Sequence, residues 1–186
     1  MKKEKKSIIR IIQKGEPVLR ETARNVEIQN INTPKIQKII SDMTLALDSQ
    51  LDGVAIAAPQ INIPLRIFVI SKKVESIIKA EKDPLENELL KKRELVYINP
   101  EIIKLSRSKI RVDEGCLSVR YLYGKVNRAQ KATITAYDEH GKKFTRGASG
   151  LLAQIFQHEI DHLNGILFID KADDIVEILP QKQNAK

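Results

Sequence analysis

The sequence contains little sulfur and few aromatic side chains. Of its 186 residues, one is cysteine (Cys116), none is tryptophan, and tyrosine and phenylalanine occur four times each. A single cysteine excludes an internal disulfide bond and is typical of a reducing compartment. The scarcity of aromatic rings leaves no stacking platform for bases, so we expect no sequence-specific contact with nucleic acid.

Long apolar runs are also missing, and none approaches the ~20 residues of a membrane span. The basic segment Met1–Lys6 is followed by Ile8–Ile12, which Arg10 interrupts and which is too short for the core of a signal peptide. Glu4 argues against a transit peptide, because those segments are poor in acidic residues. We therefore expect a cytoplasmic protein that has no membrane partner.

Length and composition predict one domain spanning residues 1–186, since the hydrophobic fraction of 42% is ordinary for a globular protein. Within it, we expect the charged residues 71–94 to form a surface excursion between strands and residues 181–186 to form a flexible tail. The formal net charge is +8. Either a solvated, lysine-rich surface or a weak electrostatic partner, such as an RNA-rich particle, explains this charge.

Residues Gln157–Gly165 contain the pattern H-E-x-x-H. On an α-helix, residues four apart differ by about 40° of rotation, so His158 and His162 lie on one face, one turn apart. A single metal ion can then take both imidazoles. Glu159 lies close enough to act as a base on water that the ion activates.

The surrounding residues favour a helix whose metal site faces inward. Ser149 suits the N-cap and Gly165 suits the C′ position. Two adjacent stripes of the helix combine apolar residues with the motif. One stripe is Leu151, Ile155, His158 and His162, and the other is Leu152, Phe156, Glu159 and Leu163. The opposite side is polar and consists of Gln154, Gln157, Asp161 and Asn164. Five-residue patterns arise by chance, and a single buried histidine is more often a core residue than a ligand. Two histidines with an inward glutamate nevertheless favour a metal site, because an unpaired buried glutamate is destabilising.

A catalytic metal site needs about three protein ligands and one open position, so a third ligand must come from elsewhere. No histidine follows His162, which excludes the metzincin continuation. Upstream, Cys116 beside Gly115 is the best soft ligand. Two imidazoles and a thiolate suit zinc or Fe(2+). The downstream candidates are the carboxylates of Asp170, Asp173, Asp174 and Glu177.

The remaining pattern predicts a second helix and several strands. The helix has Thr33 as N-cap and Pro34 as its first residue, and it ends before Gly53. The small-residue run Gly53–Gln60 either allows close approach of a ligand or forms a tightly packed core loop. The predicted strands are 66–70, 95–105 with a kink at Asn99-Pro100, 125–128, a hairpin of 132–137 with 143–146, and 166–169.

Three stretches, in this order, resemble the peptide deformylase family. Gly53–Gln60 is similar to the family's G-x-G-L-A-A-P-Q, Glu114–Ser118 is E-G-C-L-S, and Gln157–His162 is Q-H-E-x-D-H. The second and third stretches, correctly ordered and spaced, are highly specific. The resemblance extends over about residues 9–170, because three shorter segments also match: Pro17–Arg20, Ile98–Pro100 and Gly150–Ala153.

The resemblance implies an α+β fold in which antiparallel β-sheets surround a central metal-binding helix. It implies a hydrolase that removes the N-formyl group from the formyl-methionine of nascent polypeptides, an N-terminal processing step of protein biosynthesis. One Fe(2+) per chain is expected, with Zn(2+) or Ni(2+) as substitutes after isolation. With such a substrate, the basic surface favours docking near the ribosome.

The resemblance also implies roles for individual residues. The expected metal ligands are Cys116, His158 and His162. The expected catalytic groups are Glu159 as general base and acid, the side chain of Gln60, and the backbone N–H of Leu117 as an oxyanion donor. The backbone at Gly53, Val54, Ala55 and Gly115 is expected to lie along the bound peptide. We interpret Leu151 and Ile155, which precede the histidines on their stripe, as walls of a methionine pocket or as ordinary core.

The sequence departs from the family pattern at three positions. Ala55 stands where a second glycine is usual, Ile56 where leucine is usual, and Arg120 near a usual proline. A methyl group at Ala55 would crowd the peptide backbone, which bears on rate and substrate range. Two alternatives remain open: a small H-E-x-x-H zinc endopeptidase with a downstream third ligand, and a low-activity or non-catalytic relative acting as a basic binding module.

Overall fold

Two antiparallel β-sheets and a central helix form the fold in the computed structural model, which describes residues 9–80 and 95–180. The helices are α1 (Pro34–Asp48), α2 (Lys73–Ala80) and α3 (Gly150–Leu163). The strands are β1 (Ala55–Ala57), β2 (Ile67–Ile70), β3 (Val96–Leu105), β4 (Lys109–Gly115), β5 (Leu122–Ala129), β6 (Lys131–Tyr137), β7 (Lys143–Ser149) and β8 (Asp173–Glu177). The larger sheet has the order β1-β2-β3-β6-β7 and the smaller one β4-β5-β8. The predicted α+β architecture is confirmed.

Helix α3 is central because the larger sheet covers it and the opposite face of that sheet packs on α1. Successive residues of a strand point to opposite faces. In β2, Phe68 and Ile70 pack in the cluster with α3, whereas Ile67 and Val69 pack in the cluster with α1. Burial on both faces explains why this strand is a continuous apolar run in the sequence.

Strand β3 bends at the predicted kink. Asn99 has a φ of 50°, and the register with β6 shifts between Ile98 and Glu101. The Asn99 side chain makes two bonds to the backbone of Val26: its Oδ1 accepts from the Val26 N–H at 2.8 Å, and its Nδ2 donates to the Val26 carbonyl at 2.7 Å. The bend therefore ties the N-terminal segment to the sheet.

Several sequence predictions agree with the structure and others are wrong. Helices α1 and α3, strand β2 and the β6–β7 hairpin around residues 138–141 are confirmed. Thr33 and Ser149 occupy the predicted N-cap positions, but neither makes a side-chain capping hydrogen bond. Residues 166–169 are not a strand: Phe168–Asp170 form a 3-10 turn, which the Leu167 N–H closes by donating to the Asp170 carboxylate at 2.9 Å, and Leu167 and Phe168 are buried in a third cluster with Val126 of β5.

The predicted surface excursion of residues 71–94 is only partly described. Its first part is helix α2, and Val74 and Ile78 are fully buried in the cluster that includes α3. One face of this part is therefore buried in the core. Residues 81–94, and the predicted tail of residues 181–186, lie outside the described residues.

Gly165 closes α3 and lets the N-terminal segment approach the helix end. Its φ is +73°, its N–H donates to the His162 carbonyl, and the next N–H donates to the Asp161 carbonyl. A Cβ at this position would lie 2.5 Å from the carbonyl oxygen of Arg20. Both the backbone conformation and the close approach require glycine here.

We predict that Gly165→Ala destabilises the protein more than Gly141→Ala. Gly141 has a similar φ of +79°, but a Cβ there would meet no atom closer than 3.7 Å. The control should cost about 1 kcal/mol of unfolding free energy from strain alone, and Gly165→Ala at least about 3 kcal/mol because of the added clash. Urea unfolding measures both, and equal losses would show that the Arg20 segment moves away freely.

Candidate metal centre

Three donor atoms converge beside the last two turns of α3, one from Cys116 and two from histidines of the helix. Cys116 follows β4, and His158 and His162 lie on α3. The ligand atoms of the three residues all lie within 4.8 Å of one another, and the Cys116 sulfur is 3.1 Å from Nε2 of His162. The helical spacing of four residues places the two rings 5.0 Å apart.

The donor set fits one divalent cation. Two imidazoles and a sulfur match the soft and borderline ligands that zinc and Fe(2+) accept. Besides the His162 ring, the Ser118 N–H at 3.4 Å and the Gln60 Nε2 at 3.5 Å donate toward the sulfur of Cys116. The thiolate is the form of a cysteine side chain that binds metal.

The downstream carboxylates are paired with arginines or exposed to solvent. Asp170 pairs with Arg20 at 2.5 Å, and Asp174 pairs with Arg111 at 2.6 Å. Asp173 and Glu177 lie on the exposed strand β8. Within residues 9–80 and 95–180, the cluster of metal-ligating groups is therefore completed from upstream, by Cys116. The endopeptidase alternative, which needs a downstream third ligand, loses its support.

A buried ion-pair network holds His158 in place. The Glu114 carboxylate lies 2.9 Å from Nδ1 of His158 and accepts two bonds from Arg128, at 2.7 and 2.9 Å. Arg128 also donates to Asp161 on α3 at 2.6 Å. A partner on the second ring nitrogen orients a histidine ligand and leaves the other nitrogen for the metal.

The electrostatics of Glu114 follow from these contacts. Its side chain is 2% exposed, and burial alone would raise its pKa. The hydrogen bonds from Arg128 and His158 outweigh burial and bring the pKa of Glu114 down to about 2. The same pairing raises the pKa of Arg128 despite its burial. The sequence offered no direct signal for Arg128, which lies in what was predicted to be a short strand.

Gln157 was predicted on the polar side of the helix, and this prediction is wrong. Gln157 is buried: its Oε1 accepts from the Ala129 N–H at 2.9 Å, and its Nε2 donates to the Ala129 carbonyl at 3.0 Å. The side chain of Asp161, one turn on, is 13% exposed and pairs with Arg128 and Lys171. This side of α3 packs on β5, and its polar residues pair there with backbone and with charge.

Glu159 lies beside the three metal-ligating residues and is 3% exposed. Its Oε2 has no hydrogen-bond partner among the described residues, and neither does Nδ1 of His162. Burial raises the pKa of Glu159 to about 7. A buried carboxyl group with a pKa near neutrality can both accept and donate a proton.

Gln60 and Leu117 both lie next to Cys116. The Gln60 side chain is held at both ends, because its Oε1 accepts from the Ala57 N–H at 2.8 Å and its Nε2 donates to the Ser118 hydroxyl at 3.1 Å. The Leu117 carbonyl accepts from Nε2 of Gln13 at 3.0 Å. Both residues are therefore fixed near the sulfur before any ligand arrives.

A pocket of about 320 Å³ opens onto this centre. All six residues predicted to contact a peptide line it: Gly53, Val54, Ala55, Gly115, Leu151 and Ile155. The same pocket is also lined by five of the predicted metal-binding and catalytic residues: Gln60, Cys116, Leu117, His158 and Glu159. The fold thus brings every predicted site residue together, since His162 does not line the pocket but lies 3.1 Å from the Cys116 sulfur.

We predict that Glu114→Gln weakens binding of cobalt(2+) to the Cys116–His158–His162 centre about 10–100-fold, because the amide no longer holds His158 as a carboxylate does. Thiolate-to-cobalt absorbance in a chelator competition measures this. Asp113→Asn is the matched control, since the side chain of the neighbouring Asp113 is exposed and pairs with Lys125 in the smaller sheet. Unchanged affinity in folded Glu114→Gln protein would contradict the prediction.

None of the helices in residues 9–80 and 95–180 is long and apolar enough to cross a membrane.

Among solved structures, the chain is similar to the peptide deformylase of Thermotoga maritima, with a TM-score of 0.72, 30% identity, and coverage of 89% of this chain and 98% of that one. An inhibitor complex of the Plasmodium falciparum peptide deformylase gives a TM-score of 0.69 at 32% identity, covering 89% and 90% of the two chains.

Sequence relatives agree. Residues 8–177 match the polypeptide deformylase family model. The peptide deformylase of Carboxydothermus hydrogenoformans is 39% identical over 170 residues, which are 91% of this chain and 97% of that protein. Peptide deformylase 1A of Arabidopsis thaliana, chloroplastic/mitochondrial, is 41% identical over 171 residues, and the chain spans 63% of its length. Together, the family match, the relatives and the fold show that this chain belongs to the peptide deformylase family.

Proposed function

We propose that this chain is a metal-dependent hydrolase that removes the formyl group from the N-terminal formyl-methionine of nascent polypeptides and releases formate. The observation that carries the proposal is the buried Glu159 carboxylate, which has an oxygen without a partner among the described residues and lies in one pocket with Cys116 and His158. A buried, unpaired carboxyl group is destabilising, so its position favours a catalytic role over a structural one.

Cys116, His158 and His162 would hold the metal. A divalent cation held there would act as a Lewis acid and would lower the pKa of water toward about 7. Glu159 then takes the proton of the attacking water and passes it to the leaving nitrogen. The water oxygen joins the formyl carbon and the C–N bond breaks, which yields formate and a free amine. Nε2 of Gln60 and the N–H of Leu117 would stabilise the oxyanion charge.

The peptide would bind along strand β1. Among the described strands, β1 is an edge of the larger sheet, and the pocket is lined by Gly53, Val54 and Ala55 on that side and by Gly115 on the other. An edge strand offers backbone N–H and C=O groups to an extended peptide. Ala55 is 6% exposed and packs in the cluster that contains α3. Its methyl group therefore occupies space in the core more than space in the pocket.

The ion and the cellular setting extend this proposal. The donor set suits iron or zinc, and family membership favours Fe(2+), with Zn(2+) and Ni(2+) as substitutes. A nascent-chain substrate and a net charge of +8 support weak, salt-sensitive docking at the ribosome. We place the chain in the cytoplasm, although the Arabidopsis relative is named chloroplastic/mitochondrial.

The central test is formate release from a formyl-Met-Ala-Ser peptide by metal-free protein that has been reconstituted anaerobically. We predict the highest rate with Fe(2+) and lower rates with Zn(2+) and Ni(2+). Glu159→Gln should lower kcat by about 10²–10⁴ while metal binding persists, because the amide cannot accept the proton. A folded, metal-loaded wild-type protein that releases no formate would identify the chain as a non-catalytic relative.

We also predict that Ile155→Ala lowers selectivity for methionine over polar first residues. Ile155 is 3% exposed at the pocket wall, and half-buried Leu151 lies one turn earlier. Losing a wall contact typically costs about 1–3 kcal/mol of discrimination. The measurement is the ratio of kcat/KM for formyl-Met and formyl-Ser peptides, and Ile160→Ala, which removes a core isoleucine outside the pocket, is the control. An unchanged ratio in the folded variant would assign Ile155 to the core alone.

A further inference from the structure

Arg120, one of the departures from the family pattern, makes a three-point contact at the rim of the pocket. Its Nη1 donates to Oδ2 of Asp52 at 2.6 Å, and its Nη2 donates to Oδ1 of Asp52 at 3.2 Å and to Oε1 of Gln50 at 2.9 Å. Asp52 and Arg120 both line the pocket. We call this group, Gln50, Asp52 and Arg120, the rim clasp.

The rim clasp joins the two segments that form opposite walls of the pocket. Asp52 immediately precedes Gly53, and Arg120 follows Cys116 and Leu117 in the other wall. These walls meet beside the clasp, because a Cβ at Gly53 would lie 3.4 Å from Cδ1 of Leu117 and 2.8 Å from Cδ1 of Leu47. The clasp therefore links the two walls beside the place where Gly53 lies close to the Leu117 side chain.

The chemistry of the clasp suits a mechanical link. A guanidinium that forms two parallel bonds with one carboxylate has a defined geometry, unlike a single lysine contact. The Arg120 side chain is 25% exposed, and the hydrogen bond from Arg120 keeps the pKa of Asp52 below its usual value. At neutral pH both side chains are charged, so the ion pair between Arg120 and Asp52 forms.

Stability alone does not explain this pair. Exposed ion pairs contribute little to the free energy of folding. A similar pair, Arg111–Asp174 at 2.6 Å, joins β4 to the start of β8, and neither of its residues lines the pocket. The backbone N–H of Arg120 also donates to Oε1 of Gln13, whose Nε2 holds the Leu117 carbonyl. The clasp is thus connected through Gln13 to the segment that carries Leu117.

We propose that Arg120 is a positioning residue for the peptide: by holding Asp52 and Gln50, it sets the spacing between the Gly53–Ala55 wall and the Gly115–Leu117 wall. This inference rests on the proposed function. A substrate that extends beyond the formylated residue fills the space between the walls, whereas formyl-methionine amide uses little of it. Within the described part of the chain, the hydrogen bonds of Arg120 go to Gln13, Gln50 and Asp52 and not to the metal ligands or Glu159, so it acts on binding and leaves the chemical step alone.

The test compares formyl-Met-Ala-Ser with formyl-methionine amide. Arg120→Ala should raise KM for the longer peptide roughly three- to tenfold and leave its kcat within about twofold, because only binding geometry is lost. KM for the amide should hardly change. Arg120→Lys, which keeps the charge but not the paired bonds, should fall between wild type and alanine. Reversing the pair, Asp52→Arg with Arg120→Asp, should recover part of the loss.

Two controls separate this proposal from a loss of fold and from a failure of the proposed function. Arg111→Ala removes the matched pair outside the pocket and should leave both KM values unchanged. Calorimetric binding of the deformylated peptide Met-Ala-Ser gives a readout that needs no turnover. If wild type releases no formate, the proposed function fails, and weaker Met-Ala-Ser binding by Arg120→Ala still supports the clasp.

The proposal is overturned if Arg120→Ala changes KM equally for both substrates, or binds Met-Ala-Ser as wild type does. A fall in kcat without a change in KM would also overturn it, because Arg120 would then act on the chemical step. Should Arg120→Ala unfold, Arg120→Lys and Asp52→Asn carry the same comparison, since each breaks the paired geometry with a smaller change in volume.

Discussion

The buried pairing of Glu114 with Arg128 and His158 is the interaction on which the metal centre depends. It connects three elements, since Glu114 lies on β4, Arg128 on β5 and His158 on α3. Burying charges is costly unless they are paired and fully bonded, and here each carboxylate oxygen has a donor. One cluster of charges therefore sets both the orientation of a histidine and the position of the strand that ends beside Cys116.

The sheet arrangement explains how three remote sequence segments share one pocket. The larger sheet presents β1 at its edge, the smaller sheet brings the end of β4 to the cysteine, and α3 packs between them. Rigid elements on three sides hold Gln60, Cys116 and Glu159 in fixed relation, which is what preorganised catalysis requires. The rim clasp extends the same principle to the mouth of the pocket, where a single arginine joins two loops.

Parts of the fold that have a strong local signal were predictable. Helix α1 has proline at its first position and an apolar stripe, and β2 is a continuous apolar run, so both agree with the structure. Strands β4 and β8 were missed, because most of their residues are exposed and polar and pair mainly with β5. Gln157 shows the limit of a helical wheel: polarity predicts an exposed side, but a strand with free backbone groups can bury an amide.

By itself, the sequence determined the ligand types and the local geometry of the site. The spacing of His158, Glu159 and His162 follows from the helical repeat, and the family motifs identified Cys116 as the third ligand. Only the tertiary structure decided which charges support that centre and which residues close the pocket. Arg128 lies 14 residues from Glu114 and Arg120 lies 68 residues from Asp52. Pairs so separated leave no periodic pattern, because their distance depends on the packing of whole sheets and loops.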